Sequence, residues 1–307
     1  MLIKPLRNFF ILLCCCSYWV NAQQDYVETL PETNQTLRMV YIPKGEFIMG
    51  SGSKEQGHLA DEAPQHPVQI DAFWMAEVEI TWDLYTLFME RSIDKYQNQA
   101  KNGNEVTLEV DAVSGATTPY VDMSFGMGTD GYPAVCMTQL AAAKFCEWLS
   151  AMTGHFYRLP TEAEWAWAAR FKEGKMLRYP WGDALPPPTK SANIGDRSAA
   201  SILGTIQSTY DDGYIVTAPV GQFPPNHLGL YDLGGNAAEW VHDFYIITTG
   251  VSTKTSVDPL GPNEGDYHVI RGASWSSGGI TDLRLSYRDY GTDAKRTIGF
   301  RVARYLE

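Results

Sequence analysis

The segment 229-GLYDLGGNAAEWVHDF-244 decides how the rest of the chain is interpreted. Its glycines permit positive φ angles, so the backbone can curl and aim carbonyl and carboxylate oxygens at one point. Asp232, Gly235 and Glu239 lie in this segment, and hard cations such as Ca²⁺ prefer a cage of oxygen ligands. A plain glycine-rich turn that carries solvated acids is the alternative that these residues leave open.

Length and charge limit the class of protein. The chain has 307 residues, of which 44% are hydrophobic and 20% charged, which suits one or two globular domains with a real core. Its net charge of −12 repels nucleic acid and anionic membranes, so we expect neither as a partner. A sulfated glycan is repelled as well, unless basic residues cluster locally, as in the region of Arg284, Arg288, Lys295, Arg296 and Arg301.

Residues 1–22 have the layout of a secretory signal peptide. Lys4 and Arg7 precede an apolar run over 9–20, and small residues end the segment at Ala22. The run is too short for a stable membrane span. We therefore expect export to the periplasm, the cell surface or the medium, with the net charge changing from −12 to −14 as Lys4 and Arg7 are removed. Lipid attachment at one of Cys14, Cys15 or Cys16 is the alternative.

Two cysteines, Cys136 and Cys146, follow the signal segment. A helix that begins at Thr138 would place them roughly 12 Å or more apart, beyond the ~7 Å reach of a disulfide. The spacing predicts two free, buried thiols.

Local signals predict three helices and an α+β fold. Thr81 is positioned to cap a helix through Phe88, Thr138 begins a second helix that ends at Gly154, and Thr161 with Glu164 forms a capping box for a third. The remaining chain consists of short β-prone pieces and turns, which disfavours a doubly wound parallel sheet.

Three further segments carry predictions of their own. The pattern 39-MVYIPKGEFIMGS-51 predicts a hairpin that turns at Pro43-Lys44-Gly45. Residues 23–36 are polar and predict a flexible leader before a domain over 37–307. Residues 93–131 predict a long surface insertion, which either lines a substrate groove or has no role.

A series of ordered motifs resembles the formylglycine-generating enzyme, or sulfatase-modifying factor, family. These motifs are MVYIPKGEFIMGS, HPVQIDAFWMAEVEIT, CEWLSAMTG, YRLPTEAEWAWAAR, YPWGD, ANIGD, TAPVGQFPPNHLGLYDLGGNAAEW, VIRGASW and IGFRVAR. They run over about 37–304, nearly the whole chain after the signal segment. The resemblance implies a variant of the C-type-lectin-like α+β fold with much irregular structure.

The resemblance also implies two calcium sites. The first set of ligands comprises Asn193, Ile194, Asp212 and Tyr214, with Ile194 and Tyr214 acting through backbone carbonyls. The second set comprises Asp232, Gly235, Ala237 and Glu239, with Gly235 and Ala237 acting through backbone carbonyls. Every ligand is an oxygen donor, as calcium requires.

The catalytic centre departs from the family pattern. In the active enzymes, two cysteines five positions apart follow an RGGSW-like segment and bind copper. Here that segment is 271-RGASW-275, and the cysteine positions fall on Ser277 and Asp282. Neither supplies the soft thiolate that selects Cu(I), so we expect no copper. A candidate polar groove remains, which comprises Ser274, Ser277, Asp282, Arg284 and Arg288; it is functional or merely structural.

Other chemistries have no support in the sequence. The histidines form no HxxxH pair for zinc or iron, and no phosphate-binding glycine loop is present. Two functions stay open. One is an exported sulfatase-modifying-factor-like protein that acts on or with a secreted protein such as a sulfatase, in the use of sulfated polysaccharides. The other is a non-catalytic, calcium-stabilised module of the cell envelope that binds a peptide or a glycan, as in relatives from secretion and gliding machinery.

Overall fold

A computed structural model describes residues 24–94, 122–248, 250 and 253–306. In this part of the chain, many short strands and three α-helices alternate with irregular segments, which confirms the α+β class. The helices are Trp82–Glu90 (α1), Gln139–Thr153 (α2) and Glu162–Arg170 (α3). The strands are Tyr26–Thr29 (β1), Thr36–Ile42 (β2), Gly45–Met49 (β3), His66–Ile70 (β4), Phe73–Ala76 (β5), Tyr157–Arg158 (β6), Phe171–Lys172 (β7), Lys175–Met176 (β8), Ala238–Phe244 (β9), Ser256–Val257 (β10), His268–Arg271 (β11), Arg288–Gly291 (β12), Ile298–Phe300 (β13) and Ala303–Tyr305 (β14).

The helix boundaries follow from the caps that the sequence predicts. Thr138 accepts a hydrogen bond from the backbone N–H of Ala141, and Gly154 ends α2 with a left-handed φ of 76°. Thr161 and Glu164 form the reciprocal capping box of α3. Helix α1 begins after Thr81, although the Thr81 side chain makes no capping hydrogen bond. The three predicted helix starts are therefore confirmed.

The sheets are mostly antiparallel. One has the strand order β1-β2-β5-β14-β6, a second β10-β4-β3, a third β12-β11-β9-β13, and β7 pairs with β8. The described strands form parallel pairs at β10–β4 and β13–β9. The β9 strand comes from the segment 229–244, so that segment runs directly from its glycine-rich loop into the third sheet.

The predicted hairpin at Pro43-Lys44-Gly45 is wrong. Strand β2 pairs with β1 and β5, whereas β3 pairs with β4 in a different sheet. The connection between them crosses helix α3 instead, because the indole N–H of Trp167 donates to the carbonyl of Pro43 at 2.8 Å. A Cβ at Gly45 would overlap the same indole, so glycine here permits close packing rather than a tight turn.

The segment 23–36, predicted as a flexible leader, contains strand β1 and the fully buried Leu30. Strand β1 pairs with β2 in the register Tyr26↔Met39. The Tyr26 hydroxyl lies 3.0 Å from that of Tyr157, and its ring packs edge-on against Trp74 with centroids 5.3 Å apart. The prediction failed because an edge strand has one solvated face, so its sequence is polar.

Two other predicted segments lie wholly or partly outside the described residues. The predicted signal peptide, 1–22, is one, and most of the predicted insertion at 93–131 is the other. At the edges of that insertion, Ile93 and Met127 are buried in the core. None of the α-helices in the described part of the chain has the length and apolar composition needed to cross a bilayer.

Three hydrophobic clusters form the core of the described residues, and the smallest contains Tyr179, Ile194 and Tyr210. The first surrounds α1 and α2 and includes Cys146, and the second packs α3 against the sheets that contain β4 and β9. Cys136 and Cys146 are both free, as predicted, although Cys136 is half-buried rather than buried. Burial raises the pKa of both thiols.

Candidate functional site

The loop before β9 curls back onto the segment that contains Asn193. Asp232 and Asn236 have left-handed φ angles of 61° and 64°, which short polar side chains tolerate. The backbone N–H of Asn236 donates to the carbonyl of Asn193 at 2.7 Å, and the Asn193 side-chain amide donates to Oδ1 of Asn236 at 3.2 Å. The two predicted calcium sets therefore adjoin each other.

The first predicted set is assembled around Asp212. Oδ2 of Asp212 accepts from the backbone N–H of Ile194 at 2.9 Å, and Oδ1 accepts from that of Tyr214 at 2.8 Å. Oδ1 of Asn193 is buried and has no hydrogen-bond partner among the described residues. Burial raises the pKa of Asp212 to about 7, because its charge is not compensated.

These residues fit a hard cation. An orphaned buried oxygen and an uncompensated carboxylate are what a bound Ca²⁺ would satisfy. Among the described residues, no three Asp, Glu, His or Cys side chains converge closely enough to hold a metal by themselves. A site here would therefore depend on the Asn193 amide oxygen and on backbone carbonyls, in addition to Asp212.

The second predicted set contains a carboxylate that is already engaged. Glu239 is buried and forms an ion pair with Arg301, with Nη2 of Arg301 2.7 Å from Oε1 of Glu239. The indole N–H of Trp165 donates to Oε2 of Glu239 at 2.8 Å. Asp232 accepts from the backbone N–H of Gly221 at 2.7 Å, and burial raises the pKa of Asp232 to about 6.

The sequence interpretation missed Glu79, which belongs to this second set. Oε1 of Glu79 accepts from the backbone N–H of Ala237 at 3.3 Å, and the buried Oε2 has no partner among the described residues. Burial, together with the nearby Asp232, raises the pKa of Glu79 well above its usual range. Glu79, Asp232 and Glu239 thus share one neighbouring cation, Arg301. The available signal was an acid between the apolar residues Val78 and Ile80.

The five residues of the predicted groove fall into two groups in the structure. Ser274, Ser277 and Asp282 lie in a turn against Gly195, whose N–H donates to the carbonyl of Ser277 at 2.7 Å. The hydroxyl of Ser277 accepts from the backbone N–H of Ser274 at 3.1 Å, so it stabilises the turn. Burial raises the pKa of Asp282.

Arg284 and Arg288 form the second group, and both take part in ion pairs. Arg284 is fully buried and donates to Glu62 at 2.7 Å and to Glu55 at 2.9 Å. Arg288 donates to Glu162 at 2.6 Å, at the start of α3. Both arginines are therefore engaged in ion pairs, whereas Ser277 stabilises a local turn.

Arg288 lines a cavity of about 160 Å³ that the sequence did not predict; the other titratable residues in its wall are Asp61, Glu62, His66, Glu162, Arg170, Asp243 and Arg271. Asp243 accepts from the backbone N–H of Glu162 at 2.7 Å, and burial raises the pKa of Asp243 to about 7. A second cavity, of about 240 Å³, lies beside Asp232 and Trp181. Ser274, Ser277 and Asp282 line neither cavity.

Comparison with known proteins decides the family. The model of the Sulfatase-modifying factor enzyme 1-like domain (FGE-sulfatase) matches residues 23–306. The chain belongs to this family. The match includes strand β1, so the segment 23–36, which was predicted to be a flexible leader, lies within the FGE-sulfatase domain.

Several relatives cover much of the FGE-sulfatase domain. The formylglycine-generating enzyme of Thermomonospora curvata is 36% identical over 264 residues, which cover 77% of this chain and 82% of that protein. The structure of PvdO from Pseudomonas aeruginosa aligns with a TM-score of 0.68 and 27% identity, over 92% of this chain and 99% of that one. An inactive Cα-formylglycine-generating enzyme 2 of Mus musculus is 28% identical over 86% of this chain and 85% of its own.

Some matching proteins are much longer. The serine/threonine-protein kinase Pkn1 of Chlamydia trachomatis is 28% identical over 98% of this chain, which spans 43% of the kinase. Proteins similar to this chain thus include formylglycine-generating enzymes, an inactive homologue and a longer protein of which the chain matches only a part.

Proposed function

We propose that this FGE-like protein is exported and acts on or with a secreted protein, such as a sulfatase, without making formylglycine by the copper route. The observation that carries the proposal is the state of Ser277, whose hydroxyl accepts a backbone hydrogen bond in a closed turn. Asp282, at the other expected cysteine position, offers a hard carboxylate oxygen. Cu(I) requires soft thiolates, which neither side chain supplies.

The thiols elsewhere in the described chain support the same proposal. Cys146 lies on α2 within the first hydrophobic cluster, and the backbone N–H of Cys136 is held by the carbonyls of Lys295 and Ile298, both at 3.1 Å. Burial raises the pKa of both thiols, which disfavours the thiolate that a copper site needs.

Two bound calcium ions are part of this proposal. The first would be held by Asn193, Asp212 and the carbonyls of Ile194 and Tyr214. The second would lie near Asp232 and Glu239, with carbonyls of Gly235 and Ala237. Support comes from the orphaned oxygens of Asn193 and Glu79 and from the raised pKa values of Asp212 and Asp232. The role of calcium would be to hold these loops, since none of these residues lines the cavity at Arg288.

A second candidate is a non-catalytic module of the cell envelope that binds a peptide or a glycan. The observation that favours it is that Arg284 and Arg288 are engaged in internal ion pairs with Glu62 and Glu162, rather than poised beside a reacting group. The inactive homologue from Mus musculus also supports it.

Direct binding tests the proposed sulfatase partnership. The probe is a fluorescent peptide that copies the cysteine-containing segment of an exported sulfatase, titrated with the purified protein in calcium and a copper chelator. We expect saturable binding that does not depend on copper. If neither the peptide nor the intact unfolded sulfatase binds, the sulfatase partnership is wrong. N-terminal sequencing of exported protein should begin at Gln23, and retention of Met1 would contradict export.

A further inference from the structure

One face of the third sheet carries both charged and aromatic side chains. Alternate residues of a strand point to the same face, which groups Asp243 with Tyr245 and Arg288 with Tyr290. Arg271 is directly opposite Arg288, so it shares that face. The charged members line the cavity of about 160 Å³, and the tyrosines continue the same face beyond it.

The aromatic part is a tyrosine platform formed by Tyr245, Tyr267 and Tyr290. Tyr245 and Tyr290 stack with centroids 4.1 Å apart and an interplanar angle of 19°, and Tyr267 meets Tyr290 edge-on at 5.3 Å. Tyr267 and Tyr290 are each 45% exposed. Tyrosine rings that pack on one another yet keep nearly half of their surface in solvent are typical of a binding face.

The tyrosine platform is joined to the cavity by direct contacts. The hydroxyl of Tyr245 donates to Oδ2 of Asp61 at 2.8 Å, and the guanidinium of Arg288 lies 4.8 Å from the centre of the Tyr245 ring. Asp61 and Arg288 both line the cavity. A ligand in the cavity would therefore continue onto the tyrosine platform.

The charges in the cavity favour an uncharged ligand. Glu162 is paired with Arg288 at 2.6 Å and with Arg271 at 3.5 Å, so these two arginines are already engaged. Arg170, the third arginine in the wall, donates to the carbonyl of Gly50 at 3.0 Å. Nε of Arg271 is buried and has no hydrogen-bond partner among the described residues. A hydroxyl group both donates and accepts, so a polyhydroxylated ring can bond to carboxylates and guanidiniums together without breaking an ion pair.

We propose that the cavity and the tyrosine platform form a binding site for a neutral oligosaccharide. One hexose ring occupies the cavity beside Arg271 and Asp243, and the next unit stacks its C–H face on Tyr290. The volume suits a single six-membered sugar ring. A sulfated chain is disfavoured, because the protein is acidic and these arginines are already paired. This inference rests on the glycan-binding form of the second candidate function.

Calorimetric titration tests the site. Neutral tetrasaccharides of glucose, mannose or galactose are titrated into the purified protein, alongside a sulfated tetrasaccharide and the sulfatase peptide. We expect millimolar or tighter binding of at least one neutral sugar, at least tenfold weaker binding in Tyr290→Ala, and retained binding in Tyr290→Phe, which keeps the ring.

Tyr305 provides the matched control. Tyr305 lies in the first sheet, away from the tyrosine platform, where it is 44% exposed and stacks on Phe156. The Tyr305→Ala variant should therefore bind the sugar as the wild type does. The proposal is overturned if no neutral sugar binds, if the sulfated sugar binds more tightly, or if Tyr290→Ala and Tyr305→Ala behave alike. Peptide binding without sugar binding would overturn this inference alone, and the reverse would overturn the sulfatase partnership alone.

Discussion

Arg301 binds both carboxylate oxygens of Glu239 in the interior of the protein. Its Nε lies 2.9 Å from Oε1 and 2.8 Å from Oε2, and both side chains are almost fully buried. The same guanidinium donates to the carbonyls of Ala76 and Tyr231. A single side chain near the C-terminus thus ties β5 and the loop before β9 to Glu239.

This arrangement predicts a large effect of Arg301→Met. The substitution leaves the Glu239 charge buried without its partner, which costs about 3–5 kcal/mol. Urea denaturation followed by circular dichroism measures the loss. Arg38→Met is the control, since the Arg38–Asp25 pair is 52% and 42% exposed and is worth at most about 1 kcal/mol. Equal unfolding midpoints for the two variants would contradict the structural role of Arg301.

Calcium removal is predicted to destabilise the protein. A ligand at a hundredfold excess over its Kd contributes about 2.7 kcal/mol, which corresponds to a fall in Tm of roughly 5 °C on chelation. Differential scanning calorimetry with and without EGTA provides the measurement. Asp212→Asn should lose the part of this response that comes from the first site, whereas the adjacent Asp211→Asn should keep the full response, because Asp211 pairs with Arg197 at the surface. An unchanged Tm on chelation, with no calcium by elemental analysis, would mean that the loops are ordinary turns.

The Glu79→Gln variant tests the proposed second calcium site independently of the first. Burial raises the pKa of Glu79 well above its usual range and so favours the protonated carboxyl in the metal-free protein, which means that glutamine should leave the Tm in EGTA close to that of the wild type. In calcium the ionised carboxylate would contribute to binding, so the rise in Tm on adding calcium should be smaller in the variant. A full calcium response in Glu79→Gln would exclude Glu79 from the site.

Asp243 predicts a pH dependence that is independent of metal. Burial raises the pKa of Asp243 to about 7, so the folded state favours the protonated carboxyl. This contribution to stability is fully present below the ordinary carboxyl pKa and is lost as pH rises through 7. Between about pH 4 and pH 7, the free energy of unfolding should fall less steeply in Asp243→Asn than in the wild type, with a difference of at most ~1.4 kcal/mol per pH unit. Identical slopes would contradict the raised pKa.

Helix boundaries were predictable from sequence, whereas strand pairing was not. The caps at Thr138, Gly154 and Thr161 act on backbone groups within four residues, so the local sequence contains the whole signal. The prediction that β2 pairs with β3 was wrong because the connection between them packs on Trp167, which lies 124 positions from Pro43 in the sequence and donates a hydrogen bond to its carbonyl.

The same contrast holds for the candidate site. Motif resemblance identified the residues around Asp212 and Glu239, which the structure brings together in two adjacent sets. Glu79 was missed because its contact with Ala237 spans 158 positions. The separation of Arg288 from Ser277 could not be predicted from the sequence either, because it depends on the ion pair between Arg288 and Glu162, which are 126 positions apart.

The central claim, that this protein does not make formylglycine by copper chemistry, is tested most directly by mass spectrometry. The purified protein is incubated with copper, oxygen, a reductant and a sulfatase-type peptide, and the formylglycine-generating enzyme of Thermomonospora curvata serves as the positive control. The account predicts that the control converts the peptide cysteine to formylglycine, whereas this protein leaves it unchanged. Conversion by this protein would contradict the account.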